Sequence, residues 1–133
     1  MGEGSKYDLG KSRMSLLPFE ALRAVGDVLT YGASKYNSHN WRKGMKWSRI
    51  QDALLRHYER FSMGEERDTE SGYLHTAHLA CDALFLLAYQ LLGLGEDDRW
   101  ITKKGQEYQP EDLARLEGKT FFDLDPNRKG KVK

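Results

Sequence analysis

Residues 64–92 read GEERDTESGYLHTAHLACDALFLLAYQLL, and they carry the strongest structural signal in the chain. It opens with an acidic turn and closes with an apolar run that stops at Gly93. We predict a helix with its N-cap at Ser71 that runs to about Leu92, because small polar residues cap helices and glycine ends them. From residue 83 onward this helix is apolar almost all round. That pattern predicts burial on several sides and, in so short a chain, a homo-oligomer, either a dimer or a tetramer.

Two more helices are predicted before this stretch. Residues 19–36, FEALRAVGDVLTYGASKY, place apolar side chains at helical spacing, and this helix should begin near Pro18. The second helix should begin at Trp47 to Ser48, with Ser48 as its N-cap, and should end at Gly64. No segment has a convincing strand pattern, so the sequence predicts an all-α bundle of about four helices.

The 133 residues are expected to form a single domain. We divide it into an irregular N-terminal arm at 1–15, a helical core at 16–99, and a short helix and basic tail at 100–133. The fourth helix is expected in PEDLARLEG, residues 110–118, where proline begins the segment and glycine ends it.

Composition and charge argue for a protein of the cytoplasm. The net charge of +1 does not call for a nucleic-acid or membrane partner. The N-terminus lacks an apolar signal region, and the apolar run after residue 83 is shorter than the ~20 residues that span a bilayer. Cys81 is the single cysteine, which excludes an intrachain disulfide, and we expect it to be a small buried core residue.

Candidate metal ligands cluster around the acidic turn. His75, His78 and Asp82 stand at i, i+3 and i+7 of the predicted third helix and so share one face. Imidazole and carboxylate together suit Mn²⁺ well, and Mg²⁺ accepts the carboxylates. If the second and third helices pack antiparallel, Glu59 can complete the ligand set, and Asp68 lies in the turn between them. The alternative is that the histidines hydrogen bond at a bundle interface while Glu59 stays on a solvated face.

Other residues near the turn have two readings. His57 lies on the apolar face of the second helix, where it is either a hydrogen-bonded core residue or a group that supports the metal ligands. Glu65 and Glu70 are either ligands themselves or partners of the histidines.

The segment 32–44, GASKYNSHNWRKG, runs from the end of the first helix into a loop predicted at 37–46, and it could recognise a nucleotide. Basic side chains bind phosphates, tryptophan stacks on a base, and asparagine reads base edges. The candidates for phosphate binding are Lys11, Lys35, Arg42 and Arg56, and those for base binding are Asp8, Asn40 and Trp41. The alternative is an ordinary surface loop anchored by one buried tryptophan.

Several motifs together resemble a phage and bacterial family of dATP/dGTP diphosphohydrolases, which are relatives of the MazG-like all-α nucleotide pyrophosphohydrolases. They are KYDLGK (6–11), LLPFEAL (16–22), YGASKYNSHNW (31–41), DALLRH (52–57), GEERDTESGYLHTAH (64–78) and DALFLL (82–87). The nearest resemblance is to the MazZ type, the (d)GTP diphosphohydrolases of phages that put 2-aminoadenine into their DNA.

The resemblance implies a MazG-like helical bundle and an enzyme that remodels the phage nucleotide pool. Its substrate would be a purine nucleoside triphosphate, dGTP, GTP or dATP, cut to the monophosphate and pyrophosphate by water attack on the α-phosphate. Two or three Mg²⁺ or Mn²⁺ ions would assist. The wider superfamily binds them with ExxE and ExxD motifs, and this sequence departs from both. Asp82 matches the last residue of ExxD, but Leu79 replaces its glutamate, and Arg56 precedes Glu59 where ExxE has its first glutamate.

Within that resemblance Glu59, His78 and Asp82 are the expected ligands or general base, with His75 and Asp68 as further metal ligands. A different class of function remains open. The chain could be a non-catalytic helical oligomer that binds a nucleotide or nucleic acid, which predicts no turnover and, for nucleic acid, binding that weakens steeply with salt. A hydrolase of other nucleotides, such as dUTP, on the same bundle is a third possibility.

Overall fold

A computed structural model describes residues 4–100 of the chain. Its three α-helices are α1 (Phe19–Lys35), α2 (Trp47–Ser62) and α3 (His75–Leu92), with 3₁₀ turns at Met14–Leu16 and Asn40–Lys43. Between residues 4 and 100 there is no strand, only isolated bridges that pair Lys46 with Glu96 and Arg67 with Leu74. The all-α prediction is therefore confirmed. The helix predicted at 110–118 and the basic tail lie outside the described residues.

The N-terminal arm and the helices belong to different units of the chain. Residues up to Leu16 fall in one unit, and the helical unit begins at Leu17. Within the described part of the arm, Lys6, Asp8 and Lys11 are all exposed. The assignment of the whole chain to a single domain stays a prediction.

α1 packs against the first half of α3. Val25 and Val28 of α1 form a buried cluster with Ala77 and Cys81 of α3, and Phe85 packs at its edge. The small side chains of α3 let the two helices approach closely, as tightly packed interiors require. Burial raises the pKa of the Cys81 thiol to about 12, so this cysteine is an inert core residue, and the prediction that it is buried is confirmed.

The second half of α3 packs against the start of α2. Trp47, Ile50 and Tyr89 form this cluster, and Tyr89 is completely buried. The Tyr89 hydroxyl donates a hydrogen bond to the Trp41 carbonyl at 2.7 Å, which satisfies the one polar atom of that side chain. Because residue 50 lies beside residue 89 while residue 57 lies beside residue 75, α2 and α3 run antiparallel.

The N-cap predicted for α2 is wrong. Lys46 occupies the N-cap position, and Ser48 is the second helical residue. The first turn is satisfied instead by the segment that follows α3. The Trp47 amide donates to the Glu96 carbonyl at 2.9 Å, and the Ser48 amide donates to Asp98 Oδ1 at 2.8 Å. The Ser48 hydroxyl also donates to Asp98, so the cap is a carboxylate distant in sequence.

The N-cap predicted for α3 is also wrong, because the helix begins at His75 with Leu74 in the cap position. Ser71 lies in the preceding turn, where its amide donates to Asp68 Oδ2 at 2.8 Å. Its hydroxyl faces His78 rather than a free helical amide. The predicted helix ends are confirmed, since α2 stops just before Gly64 (φ +91°) and α3 stops just before Gly93 (φ +67°).

The outer face of α3 carries apolar side chains that the described residues leave uncovered. Leu84 is 42% exposed and Leu87 is 49% exposed, and on α2 Leu55 is 59% exposed. Within residues 4–100, α3 is therefore buried where it packs against α1 and α2, but its outer face is exposed. The predicted burial on several sides holds only in part. No helix in this part of the chain has the length and apolar character needed to cross a membrane.

Candidate metal centre

Three of the four histidines of the chain meet where the end of α2 faces the start of α3. His57 Nδ1 and His75 Nδ1 lie 2.9 Å apart. The His57 ring stacks on the His78 ring with 4.5 Å between centroids and an angle of 8° between planes. His75 is only 2% exposed, while His57 and His78 are half-buried. The i, i+3 spacing on α3 places its two histidines on the face that α2 covers.

The turn between the helices supplies two carboxylates. Glu65 Oε2 lies 2.8 Å from His75 Nε2, so a carboxylate meets the ring nitrogen that faces away from His57. Asp68 Oδ2 lies 3.9 Å from His78 Nε2. The Ser71 hydroxyl is 2.7 Å from the same nitrogen, which links the turn directly to α3.

Backbone hydrogen bonds hold this turn in shape. Asp68 N donates to the Tyr73 carbonyl at 2.8 Å, and His75 N donates to the Glu66 carbonyl at 2.9 Å. The Arg67 guanidinium donates to the Gly72 carbonyl at 3.1 Å. These bonds fix where Asp68 stands relative to the histidines without any regular secondary structure. A compact loop of this kind can position functional groups on the helices that flank it.

The electrostatics of the cluster favour neutral rings at His57 and His78 and an ionised carboxylate at Asp68. Burial lowers the pKa of His57 to about 4, and the neighbouring His78 adds to the effect. Burial also lowers the pKa of His78, although Asp68 opposes the shift. Burial by itself raises the pKa of Asp68, but the hydrogen bonds from Ser71 outweigh it and the net pKa is lowered. Neutral imidazole and ionised carboxylate are the states that metal ions bind.

The residues present fit a divalent cation. His57, Asp68 and His75 each offer one ligand atom, and these atoms lie within 4.8 Å of one another. When two nitrogen ligands each lie about 2.1 Å from one ion and their bonds to it form a right angle, the two nitrogens are about 3.0 Å apart. The Nδ1 to Nδ1 distance of 2.9 Å agrees with that spacing. The two imidazoles suit first-row divalent ions, and the carboxylate is a ligand that Mn²⁺ and Mg²⁺ accept.

The structure brings together some of the predicted ligands and separates others. His75, His78 and Asp68 join the cluster. Glu59 is exposed on α2, and its carboxylate has no hydrogen bond or ion pair among the described residues. Asp82 lies one turn beyond His78 and is half-buried, with Arg56 as its charged neighbour.

The sequence alone does not assign single roles to two residues of the cluster. It allows a core role or a supporting role for His57, and a role as ligand or as partner for Glu65. The available signal was the histidine on the apolar face of α2, a place where an unpartnered polar ring would be costly to bury. The sequence could not show that the turn folds back so that Glu65 reaches the first residue of α3.

Lys35 lies next to the turn. Its ammonium group pairs with Glu70, whose carboxylate also accepts a hydrogen bond from the Tyr31 hydroxyl at 3.2 Å. Hydrogen bonding to Glu70 raises the pKa of Lys35. These contacts tie the end of α1 to the turn between α2 and α3, so a basic side chain is held at the turn that also carries Glu65 and Asp68.

Three other predicted nucleotide contacts, Asn40, Trp41 and Arg42, lie in the 3₁₀ turn that packs on the second half of α3. Trp41 stacks on Phe85 with 5.1 Å between ring centroids and packs against Tyr89. Arg42 lies 4.5 Å from the centroid of the Trp41 ring, and Asn40 begins the same 3₁₀ turn. Since a helix rises 1.5 Å per residue, residue 85 stands about 15 Å and residue 89 about 21 Å along α3 from residue 75. Trp41 thus anchors the loop to the core, at a distance from the histidines of the same chain.

Comparison with known proteins gives a consistent result. The sequence model of a family described as "dATP/dGTP diphosphohydrolase, N-terminal" matches residues 1–99. A protein of Salmonella phage PMBT28, named dATP/dGTP diphosphohydrolase, is 35% identical over 100 residues, which are 73% of this chain and 33% of that relative. The matched stretch therefore spans about a third of the relative's length. No solved structure matches the chain.

Proposed function

This chain belongs to the dATP/dGTP diphosphohydrolase family, and we propose that it hydrolyses a purine nucleoside or deoxynucleoside triphosphate. The products are the nucleoside monophosphate and pyrophosphate, with dGTP or GTP as the expected substrate and dATP as the other candidate. The observation that carries the proposal is the cluster of His57, His75 and Asp68, whose ligand atoms lie within 4.8 Å of one another. Such a cluster suits the divalent cation that phosphoryl transfer needs.

We propose that these three residues bind the metal, which is Mn²⁺ or Mg²⁺. The whole site would hold two or three ions, and further carboxylates would complete the set of ligands. When bound, the cation supplies positive charge that neutralises the phosphates and lowers the pKa of water. Glu59 and Asp82 are the further proposed ligands, because both carboxylates come from the helices that carry the histidines. His57 and His75 hold their positions through the contact between their Nδ1 atoms before the cation arrives.

His78 is the proposed acceptor of the proton from the attacking water. Burial keeps its ring neutral near pH 7, and Asp68 Oδ2 at 3.9 Å stabilises the imidazolium that forms. The water oxygen bonds to the α-phosphorus as the bond from that phosphorus to the bridging oxygen breaks. Pyrophosphate leaves with the electron pair, and the water proton passes to His78.

Lys35 is proposed to contact the outer phosphates, since it stands beside the turn and can exchange Glu70 for a phosphate oxygen. We keep the other roles predicted from the sequence as proposals. Phosphate contacts are proposed for Lys11, Arg42 and Arg56, and base contacts for Asp8, Asn40 and Trp41. Trp41, between Asn40 and Arg42 in the chain, stacks on Phe85, about 15 Å along α3 from residue 75.

Isotope labelling locates the bond that is cut. Turnover of dGTP with Mn²⁺ in H₂¹⁸O is expected to put ¹⁸O into dGMP and none into pyrophosphate, because water attacks the α-phosphorus. Mass spectrometry of both products gives the result, with an EDTA-treated sample as the control. Label in pyrophosphate would mean attack at the β-phosphorus, and label in inorganic phosphate would mean that a different bond is hydrolysed.

We propose that the functional form is a homo-oligomer built on the outer face of α3. Ala83, Leu84 and Leu87 are exposed within one turn and bear no charge. Monomeric proteins seldom leave large apolar patches exposed. A helix face of alanine and leucine is complementary to its own copy across a two-fold axis, which favours a second copy of this chain as the partner.

Leu87→Glu is expected to convert the oligomer to a monomer, because the new charge would be buried at the contact. Size-exclusion chromatography with light scattering gives the mass of each form. Leu29→Glu, the same change at an exposed position on α1, is the matched control and should leave the mass unchanged. A wild-type chain that is monomeric at the highest concentration tested would contradict the proposal.

Asp82→Asn is expected to abolish turnover and at the same time stabilise the metal-free protein at pH 8 by roughly 2 to 4 kcal/mol. Burial raises the pKa of Asp82 to about 7, with Arg56 partly opposing the shift. The folded protein therefore binds this proton more tightly than the unfolded chain does. Stability consequently falls as the pH rises from about 4 to about 7, and the asparagine variant avoids that loss.

Urea unfolding in EDTA at pH 4 and pH 8 tests this prediction. The stabilisation should be present at pH 8 and absent at pH 4, while Asp52→Asn at an exposed position of α2 should have little effect at either pH. An Asp82→Asn variant with full metal-dependent turnover would remove this residue from the proposed site.

A further inference from the structure

The side chain of Glu65 makes a contact that bears on how His75 could bind a metal. Glu65 Oε2 lies 2.8 Å from His75 Nε2, and the imidazole is 2% exposed while the glutamate is half-buried. The opposite ring nitrogen, Nδ1, lies 2.9 Å from His57 Nδ1. Both nitrogens of His75 are therefore engaged, one by a carboxylate and the other by a second candidate ligand.

The chemistry of these groups assigns the proton. A carboxylate only accepts hydrogen bonds, so in the contact with Glu65 the proton belongs to His75 Nε2. A neutral imidazole carries one proton, which leaves a lone pair on Nδ1. That lone pair points at His57, within the group of atoms that could share a cation. The opposite tautomer would direct an N–H toward the cation and a lone pair toward a carboxylate, which is unfavourable at both ends.

The backbone keeps Glu65 in this position. Gly64, at φ +91°, ends α2 and turns the chain, and the Glu65 amide donates to the Arg60 carbonyl at 2.9 Å. Further along, the His75 amide donates to the Glu66 carbonyl at 2.9 Å. Backbone hydrogen bonds therefore fix the chain next to both Glu65 and His75. Because the two backbones are held in place, the carboxylate stays within reach of the ring.

We propose that Glu65 is a positioning residue, which holds His75 in the Nε2–H tautomer and so presents Nδ1 to a divalent cation. This inference rests on the proposed metal-dependent function and adds a residue to it. A carboxylate that accepts the outer N–H of a ligating histidine orients the ring and strengthens it as a ligand. The contact also gives the buried Nε2–H of His75 a hydrogen-bond acceptor.

The first test needs no activity and no metal. Long-range ¹H–¹⁵N spectra of the metal-free chain at pH 7.5 report the tautomer of each histidine. The wild-type and the Glu66→Gln control should show His75 protonated at Nε2 alone. Glu65→Ala should show a mixture of tautomers, because only His57 then contacts the ring, whereas Glu65→Gln should keep the Nε2–H form through its amide oxygen. A Glu65→Ala spectrum with unchanged His75 shifts would overturn the proposal.

The second test measures affinity for Mn²⁺ alone by titration calorimetry. Glu65→Ala is expected to weaken binding by about 10- to 100-fold and Glu65→Gln by less, with Glu66→Gln unchanged. Equal Mn²⁺ affinities across the series would overturn the positioning role. A loss of affinity in Glu65→Gln as severe as in Glu65→Ala would also overturn it and would favour Glu65 as a direct ligand. Because the tautomer is read without metal or nucleotide, a failure of this proposal is distinguishable from a failure of the hydrolase assignment.

Discussion

His57→Gln is expected to remove tight Mn²⁺ binding and to lower kcat/KM for dGTP by at least about 100-fold, more than the loss of an outer partner of a metal ligand would. His57 supplies an imidazole 2.9 Å from that of His75, and it is the one ligand of the cluster that α2 contributes. Glutamine keeps much of the side-chain volume but offers no imidazole nitrogen. Calorimetric titration with Mn²⁺ and steady-state kinetics measure the two effects separately.

The fourth histidine provides a matched control. His39 is exposed, precedes the 3₁₀ turn at Asn40–Lys43 and has a φ of +59°, a conformation that asparagine also tolerates. His39→Asn should leave Mn²⁺ binding and turnover unchanged. His75→Gln is the second site variant, and its thermal melt shows whether the buried position still folds. A His57→Gln protein that binds Mn²⁺ as tightly as wild type and hydrolyses dGTP at the same rate would contradict the assigned site.

Gly95→Ala is expected to destabilise the protein by roughly 3 to 5 kcal/mol, the sum of backbone strain and overpacking. Gly95 has a φ of +74°, and a methyl group there would overlap the Met45 carbonyl oxygen and lie 3.1 Å from Trp47 Nε1. The Glu96 amide donates to that same carbonyl at 3.1 Å. Moving this segment would also disturb the hydrogen bonds that the Glu96 carbonyl and the Asp98 carboxylate accept from the first turn of α2.

Gly93→Ala separates the clash from the backbone strain. Gly93 has a φ of +67°, similar to that of Gly95, but a methyl group there would meet nothing within 4 Å. We expect it to cost only about 1 kcal/mol, the ordinary penalty of a left-handed alanine. Urea unfolding of both variants gives the comparison. Equal losses of stability would mean that the close approach of residues 45 and 95 does not matter.

The helices could be predicted because their signals are local. Apolar spacing within α1 predicts that helix, and Gly64 and Gly93 predict where α2 and α3 end. Each of these signals lies within a few residues of the helix or helix end that it predicts. The N-caps failed for the opposite reason. Ser48 looked like a cap by its own chemistry, yet the carboxylate that completes this helix end is Asp98, fifty residues later. Ser71 looked like a cap but its hydroxyl serves His78.

The candidate site was predictable in composition but not in arrangement. Spacing on one helix was enough to group His75 with His78. The contribution of His57 depends on how α2 crosses α3, and that of Glu65 depends on a turn closed by backbone hydrogen bonds such as Asp68 N to the Tyr73 carbonyl at 2.8 Å. Neither depends on any pattern within a single element. The fate of Trp41 shows the same limit, since its contact with Phe85 joins residues forty-four positions apart.

Pyrophosphate release from a panel of dNTPs and NTPs is the decisive test of the proposal that this chain is a metal-dependent nucleoside triphosphate diphosphohydrolase. The folded full chain is assayed with Mn²⁺, with Mg²⁺ and with EDTA, and both products are identified. We expect equal amounts of monophosphate and pyrophosphate from dGTP, GTP or dATP with metal, and none in EDTA. Absence of turnover across the panel, from a chain that is folded and binds Mn²⁺, would contradict the claim and favour a non-catalytic binding module.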